Sequence, residues 1–262
     1  MHSGPSSYIW VSEGTETTTE AKPKYQLPSR TWTIIKKLGE LASFINQQDV
    51  NGGLKPGTAA AKFLCHLKGH PQKLAFMRIY RQIPIDGTEF APSKIRASQA
   101  VPQRQTSELE AFKRLQKCPV VPRLLGYQEG TQGENEIVPG GSEVLIVWEK
   151  VPGEPLSEEY FWSLKGQDRE KNPRRIPSVH ILNPTLTYFK TLTTEKRKFL
   201  AYGVMPCLAD STKLIYDAST GTIHISGFRL ALPFDTIEQF REEDYVLFGL
   251  ANRSDDGNKL IL

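Results

Sequence analysis

Cysteine is scarce: Cys65, Cys118 and Cys207 are the only three in a chain of 262 residues. An odd number at wide spacing supports neither a disulfide framework nor a zinc site, and buried or idle thiols are the expectation. Long apolar runs are missing too. Val144-Leu145-Ile146-Val147-Trp148 falls far short of the ~20 residues a helix needs to cross a bilayer, so no membrane span is expected. Met1-His2-Ser3-Gly4-Pro5 has neither the basic start nor the apolar stretch of a secretory signal, which points to an intracellular protein of the cytosol or nucleus. No strong charge bias exists either, since 33 basic against 29 acidic residues leave a net +4. The basic clusters at 171–175 and 196–198 have no interleaved aromatics, and no nucleic-acid partner is expected.

What is present suits a folded α+β protein of one large domain or two packed lobes, with 39% hydrophobic residues to build a core. Residues 1–28 are rich in Ser, Thr, Glu, Pro and Gly and read as a disordered tail. Ile34, Leu38, Leu41 and Ile45 then recur at helical spacing, Ile35 and Ala42 widen the stripe, and Ser29 or Thr31 can cap the start. The spacing predicts an amphipathic helix over 31–48. Apolar runs at 61–67 and 74–80, separated by Lys68-Gly69-His70-Pro71, predict a strand pair. Ser107 and Glu110 form a capping-box pattern, and Leu109, Ala111, Phe112 and Leu115 give that helix a buried side. Two further strands are predicted at 123–128 and 144–151.

Pro152-Gly153-Glu154-Pro155 stops the last of these strands and marks a boundary. The organisation is thus a tail at 1–28, a small lobe with its opening helix at 29–151, and a short second lobe at 152–262. In that second part, 157–164 suits a short helix and 174–194 shows no steady period. A hairpin is predicted from 213–217 and 222–226, with one or two terminal helices around Phe234, Ile237, Phe240, Tyr245 and Phe248.

Four segments carry chemistry. Ala75-Phe76-Met77-Arg78-Ile79 sets a cation on a strand, and Glu108 opens a Glu-x-x-Ala-Phe-x-x-Leu helix. The 144–151 strand runs into Pro152-Gly153. Finally, the loop from Gly203 leads into Lys213-Leu214-Ile215-Tyr216-Asp217, followed by Ile223-His224-Ile225-Ser226-Gly227-Phe228. Over 73–232 these resemble the protein-kinase-like superfamily, especially its atypical fungal members related to aminoglycoside phosphotransferases. The resemblance implies a two-lobed fold with an antiparallel small-lobe sheet and an abbreviated, helical large lobe. It also implies a cofactor, ATP, with Arg78 at the cation that meets its phosphates, Glu108 at that cation's partner, and Glu149 and Val151 at the adenine-binding hinge.

The departures carry equal weight. In the register set by Leu214-Ile215-Tyr216-Asp217, Pro206 takes the usual His position, Leu208 that of the Asp which orients the accepting hydroxyl, Lys213 that of the metal-binding Asn, and Gly227 that of the metal-holding Asp. No Gly-x-Gly-x-x-Gly loop precedes Arg78, and the glycines at 52, 53 and 57 stand well upstream. Mg²⁺ needs oxygen ligands, which leucine, lysine and glycine side chains do not offer, so no metal site is expected. Lys213 can itself neutralise a phosphate, which would allow nucleotide to bind without metal. The resemblance therefore implies a pseudokinase acting by binding, with a protein partner of unknown identity. Its rival is an active ATP-dependent phosphotransferase that uses Asp210, the one carboxylate inside the loop.

Overall fold

The computed structural model describes residues 24–27, 30–102, 104–155, 204–205, 213–217, 219–220, 222–233, 252–253 and 260–261. The chain divides into two compact units, Met1–Thr106 with Leu124–Lys150, and Ser107–Arg123 with Val151–Leu262. Helices and strands are both present, and every strand pairing among the described residues is antiparallel. No helix among them is long and apolar enough to cross a membrane.

The first unit is built on six strands: β1 (Lys24–Leu27), β2 (Arg30–Ser43), β3 (Thr58–Leu67), β4 (His70–Gln82), β5 (Leu124–Thr131) and β6 (Ser142–Glu149). They lie in the order β1-β2-β3-β4-β6-β5. The predicted strand pair is the β3–β4 hairpin, turned at Gly69 with φ +79°. Alternation sends Ala59, Ala61, Phe63 and Cys65 of β3 and Ala75, Met77 and Ile79 of β4 to one face, where all are fully buried. Trp32 and Ile34 of β2 and Leu145 and Val147 of β6 complete that core. Each large side chain so buried contributes ~1.5–3 kcal/mol. Burial also pushes the Cys65 thiol up to about 12, and the thiol donates to the Ala75 carbonyl at 3.3 Å.

The helix predicted over 31–48 is overturned: most of that stretch is the fourteen-residue strand β2. Thr31-Trp32-Thr33-Ile34-Ile35 is a β-branched and aromatic run suited to a pleated surface. The helical spacing is an effect of two irregularities in the ladder to β3, between Ile34 and Lys36 and between Lys37 and Gly39. Each inserts a residue and shifts the two-residue alternation, so apolar positions recur at near-helical intervals. Thr31 pairs with Gln26 of β1 rather than capping a helix. Helix forms only at α1 (Gln47–Asn51), where the Asn46 side chain accepts from the Asp49 N–H at 2.9 Å. The tail predicted to reach residue 28 gives way to β1 at Lys24, and Leu27 is buried in the core.

Buried amides fix the connections. Gln82 donates to the Gln99 carbonyl at 2.7 Å and accepts from the Val101 N–H at 2.8 Å. Gln132 donates to the Gln82 carbonyl at 2.9 Å and accepts from the Val138 N–H at 3.2 Å. Gln99 in turn donates to Thr88 Oγ1 at 2.9 Å and accepts from the Ile85 N–H at 2.9 Å. These bonds tie the end of β4 to the short helix α2 (Ser93–Ala97) region and to the β5–β6 loop, and they satisfy groups that would be costly to bury alone.

In the second unit, the predicted helix is α3 (Ser107–Arg114), with Glu108, Leu109, Ala111 and Phe112 buried. Its Phe112 ring meets Phe228 edge to face at 5.4 Å, and Phe228 opens a 3-10 turn, Phe228–Leu230. Strand β7 (Glu154–Pro155) is followed by β8 (Val204–Met205), β9 (Leu214–Asp217), β10 (Thr222–Ile225) and β11 (Leu232–Pro233). β9 and β10 form the predicted hairpin, β7 adds to β9, and β8 pairs with β11. Near the end, β12 (Asn252–Arg253) pairs with β13 (Leu260–Ile261). The helix predicted at 157–164, the aperiodic stretch 174–194 and the helices predicted within 234–250 lie outside the described residues.

Candidate functional site

Arg78 stands in the middle of β4, between Lys62 of β3 and Ile146 of β6 as Cα partners. Alternation turns it away from the core that Met77 and Ile79 enter, so it lies half-buried on the opposite face. Two aromatics share that face, Phe76 on β4 and Trp148 on β6, with ring centroids 6.0 Å apart. The Lys62 ammonium sits 4.1 Å from the Phe76 centroid, and the Arg78 guanidinium carbon lies 5.3 Å from that of Trp148. Each cation faces the electron-rich side of a ring, which holds it at the sheet surface. Sequence reasoning singled out Arg78 but missed this setting. Its signal was available once β3 and β4 were paired, because register alone makes Lys62 the neighbour of Arg78.

Glu149 ends β6 opposite Ala75 and is half-buried. The glycines at 52, 53 and 57 are remote from Arg78 in sequence, yet they fall in the connection from β2 to β3, and β3 lies next to β4 in the sheet. Gly53 has φ +95°, and a side chain at Gly57 would stand 2.5 Å from the Ser43 carbonyl oxygen. That connection therefore needs its glycines for backbone reasons.

Glu108 and Val151 belong to the second unit, as do Lys213 and Gly227, whereas Arg78 and Glu149 belong to the first. Glu108 is 2% exposed on the first turn of α3, where the helix dipole favours an acid. Val151 is buried and lies just ahead of a tight passage. Gly153 has φ +100°, and a Cβ there would come within 2.5 Å of the Tyr216 carbonyl oxygen, so only glycine lets β7 approach β9. Pro206, Leu208 and Asp210 lie outside the described residues.

Lys213 and Gly227 are brought together. The Ser226 N–H and Oγ both donate to the Lys213 carbonyl, at 2.7 and 2.8 Å, which fastens the approach to β9 onto the end of β10. Gly227 follows with φ +92°, and a Cβ built there would stand 2.8, 2.9 and 3.0 Å from Cγ, Cδ and Cβ of Lys213. The aliphatic stem of the lysine fills the space a side chain at 227 would enter. Any other residue would meet both a strained backbone and that stem. Neither side chain supplies an oxygen ligand, and one carries a cation, so the pair does not fit Mg²⁺.

The carboxylate nearest in sequence on this hairpin is committed elsewhere. Asp217 accepts from the Ser219 N–H at 2.9 Å, Ser219 Oγ at 2.6 Å and Thr220 Oγ1 at 2.9 Å, closing the β9–β10 turn. The Ser219 hydroxyl and then the Thr220 hydroxyl hold its carboxyl below the usual carboxylate range.

No protein-family model matches the sequence, and no curated protein matches it. Among solved structures, the chain is similar to the kinase PK-1 of Cydia pomonella granulovirus, with 15% identity and a TM-score of 0.42, covering 80% of this chain and 55% of that one. The chain spans about half the length of that kinase.

Proposed function

We propose that the chain is a degenerate kinase-like protein, a pseudokinase of the atypical fungal type, that acts inside the cell by binding a protein partner rather than by transferring phosphate. Where it takes a nucleotide, it does so without Mg²⁺. The observation that carries this reading is the packing of the Lys213 stem on Gly227. Phosphoryl transfer depends on metal-held charge at the phosphoryl oxygens, and the two positions that the resemblance assigns to metal ligands hold a cation and a left-handed glycine. The five strands β2-β3-β4-β6-β5, with helix α3 following the Arg78 strand in sequence, add support for the small-lobe sheet. In this reading Arg78 and Glu108 keep the two charges of the superfamily's ion pair, Glu149 and Val151 keep the hinge positions, and the Lys213 ammonium takes over the neutralisation of phosphate.

The test is thermal unfolding of the purified chain with ATP, in Mg²⁺ or in chelator. The expected result is the same rise in Tm in both, lost in Lys213→Ala. Mg²⁺-dependent transfer of the γ-phosphate that disappears in Asp210→Ala would overturn the proposal in favour of an active phosphotransferase.

A further inference from the structure

The connection from β2 to β3 gathers hydrogen-bond donors that few acceptors answer. Arg104 reaches it from the stretch before α3, and its guanidinium donates to the Pro56 carbonyl at 2.6 Å. Among the described residues that is its one hydrogen bond, and no carboxylate pairs with it. Burial pulls its pKa below the ordinary guanidinium value, and no acid raises it again. Arg81 shows the usual remedy: burial acts on that guanidinium too, but Glu143 and Glu136 more than offset it. Lys55 precedes Pro56, is exposed, and has no ion pair among the described residues. Two residues after Pro56, the Thr58 hydroxyl oxygen is shielded from water and has no hydrogen-bond partner. Gln82, the Cα partner of Thr58, turns its amide to Gln99 and Val101 instead. A cation drawn out of water without an anion, and beside it a buried hydroxyl without a partner, are both relieved by one kind of group, an oxyanion.

We infer that Arg104, Lys55 and Thr58 form a binding site for a phosphate group. The Arg104 fork has spent one of its N–H donors on Pro56, and those left suit the oxygens of a phosphate. Lys55 brings a second positive charge. Two cations match a phosphate dianion better than the single charge of a carboxylate. The Thr58 hydroxyl donates from beneath, so that the three donors address different oxygens of a tetrahedral group. The whole site belongs to the first unit. It is separate from the place of Arg78, because Thr58 lies four residues, about 13 Å, along β3 from Lys62, the Cα partner of Arg78. The site therefore stands whether or not a nucleotide binds elsewhere on the chain.

Calorimetric titration of the full chain with sodium phosphate, against sodium chloride at matched ionic strength, tests this. Phosphate should bind with a millimolar dissociation constant, and chloride should give no comparable heat. Arg104→Gln should weaken phosphate by about tenfold or more, and Lys55→Ala, at an exposed position, by about threefold. Thr58→Val separates a ligand-binding role from a structural one. It removes the unanswered hydroxyl and keeps the β-branched shape, so the ligand-free chain should keep or raise its Tm while phosphate binding weakens by about threefold. Arg78→Ala and Lys213→Ala should leave the titration unchanged. A Gly-phosphoserine-Gly tripeptide that binds more tightly than inorganic phosphate would identify a modified protein as the source of the group; the reverse order would identify free phosphate. Heats no different from those of chloride would overturn the proposal. Phosphate binding indifferent to both Arg104→Gln and Lys55→Ala, in chains whose β3 and β4 amides stay protected from exchange, would overturn it equally by placing the anion elsewhere.

Discussion

The two units hold their shape by different means. In the first, β3 and β4 place seven alternate residues at full burial, and the polar groups that must enter the interior, Gln82 and Gln132, are wired to backbone. In the second, the strands β7, β9 and β10 are two to four residues long and depend on single backbone positions, Gly153 and Gly227, and on one capped turn at Asp217. Burial spreads stability over many side chains, whereas local geometry concentrates it in a few. The first arrangement tolerates change on its outer face. The second lets the Lys213 stem fill its space provided that residue 227 is glycine.

Three substitutions would break or sharpen this contrast. Phe63→Ala removes a fully buried ring from the first core and should cost ~3–5 kcal/mol in chemical denaturation, the largest effect of the set. Gly153→Ala should cost about 2 kcal/mol or more through positive φ and the clash with Tyr216. Hydrogen exchange should locate that loss at β9 and leave β3 and β4 protected; uniform deprotection would erase the distinction between the units. Gly39→Ala is the matching control, with no atom within 4 Å of the added carbon and no positive φ.

The smallest effect concerns pH. Asp217 has a folded pKa held below its unfolded value, so its contribution is present above the unfolded pKa and is lost as pH falls through the folded one. Asp217→Asn should therefore leave a stability profile with a shallower acid limb and little change in slope near neutral pH. An unchanged acid limb would show that the Ser219 and Thr220 hydroxyls do not hold the carboxylate in solution.

Much of the fold was legible from residues alone where one signal dominated. The β3–β4 alternation, the amphipathic α3 and the β9–β10 turn all appear where the pattern put them, because each rests on contacts within or between adjacent segments. β2 was illegible for a definite reason: two bulges convert a two-residue period into one that looks helical, and a bulge is a property of pairing with β3, absent from the strand itself. The buried role of Leu27 was likewise hidden within a polar stretch, since only the sheet gives it neighbours.

For the site, sequence determined which chemical groups exist: Arg78 on a strand, Glu108 on a first helical turn, a lysine and a glycine at the two ends of the β9–β10 hairpin. It could not determine the spatial relation of Lys213 to Gly227, which are separated by a whole hairpin. Tertiary structure decided that the lysine stem occupies the space a side chain at 227 would need, and that Lys62, Phe76 and Trp148 surround Arg78. Residue identity is local, but the space each side chain fills is settled by whatever the chain folds against it.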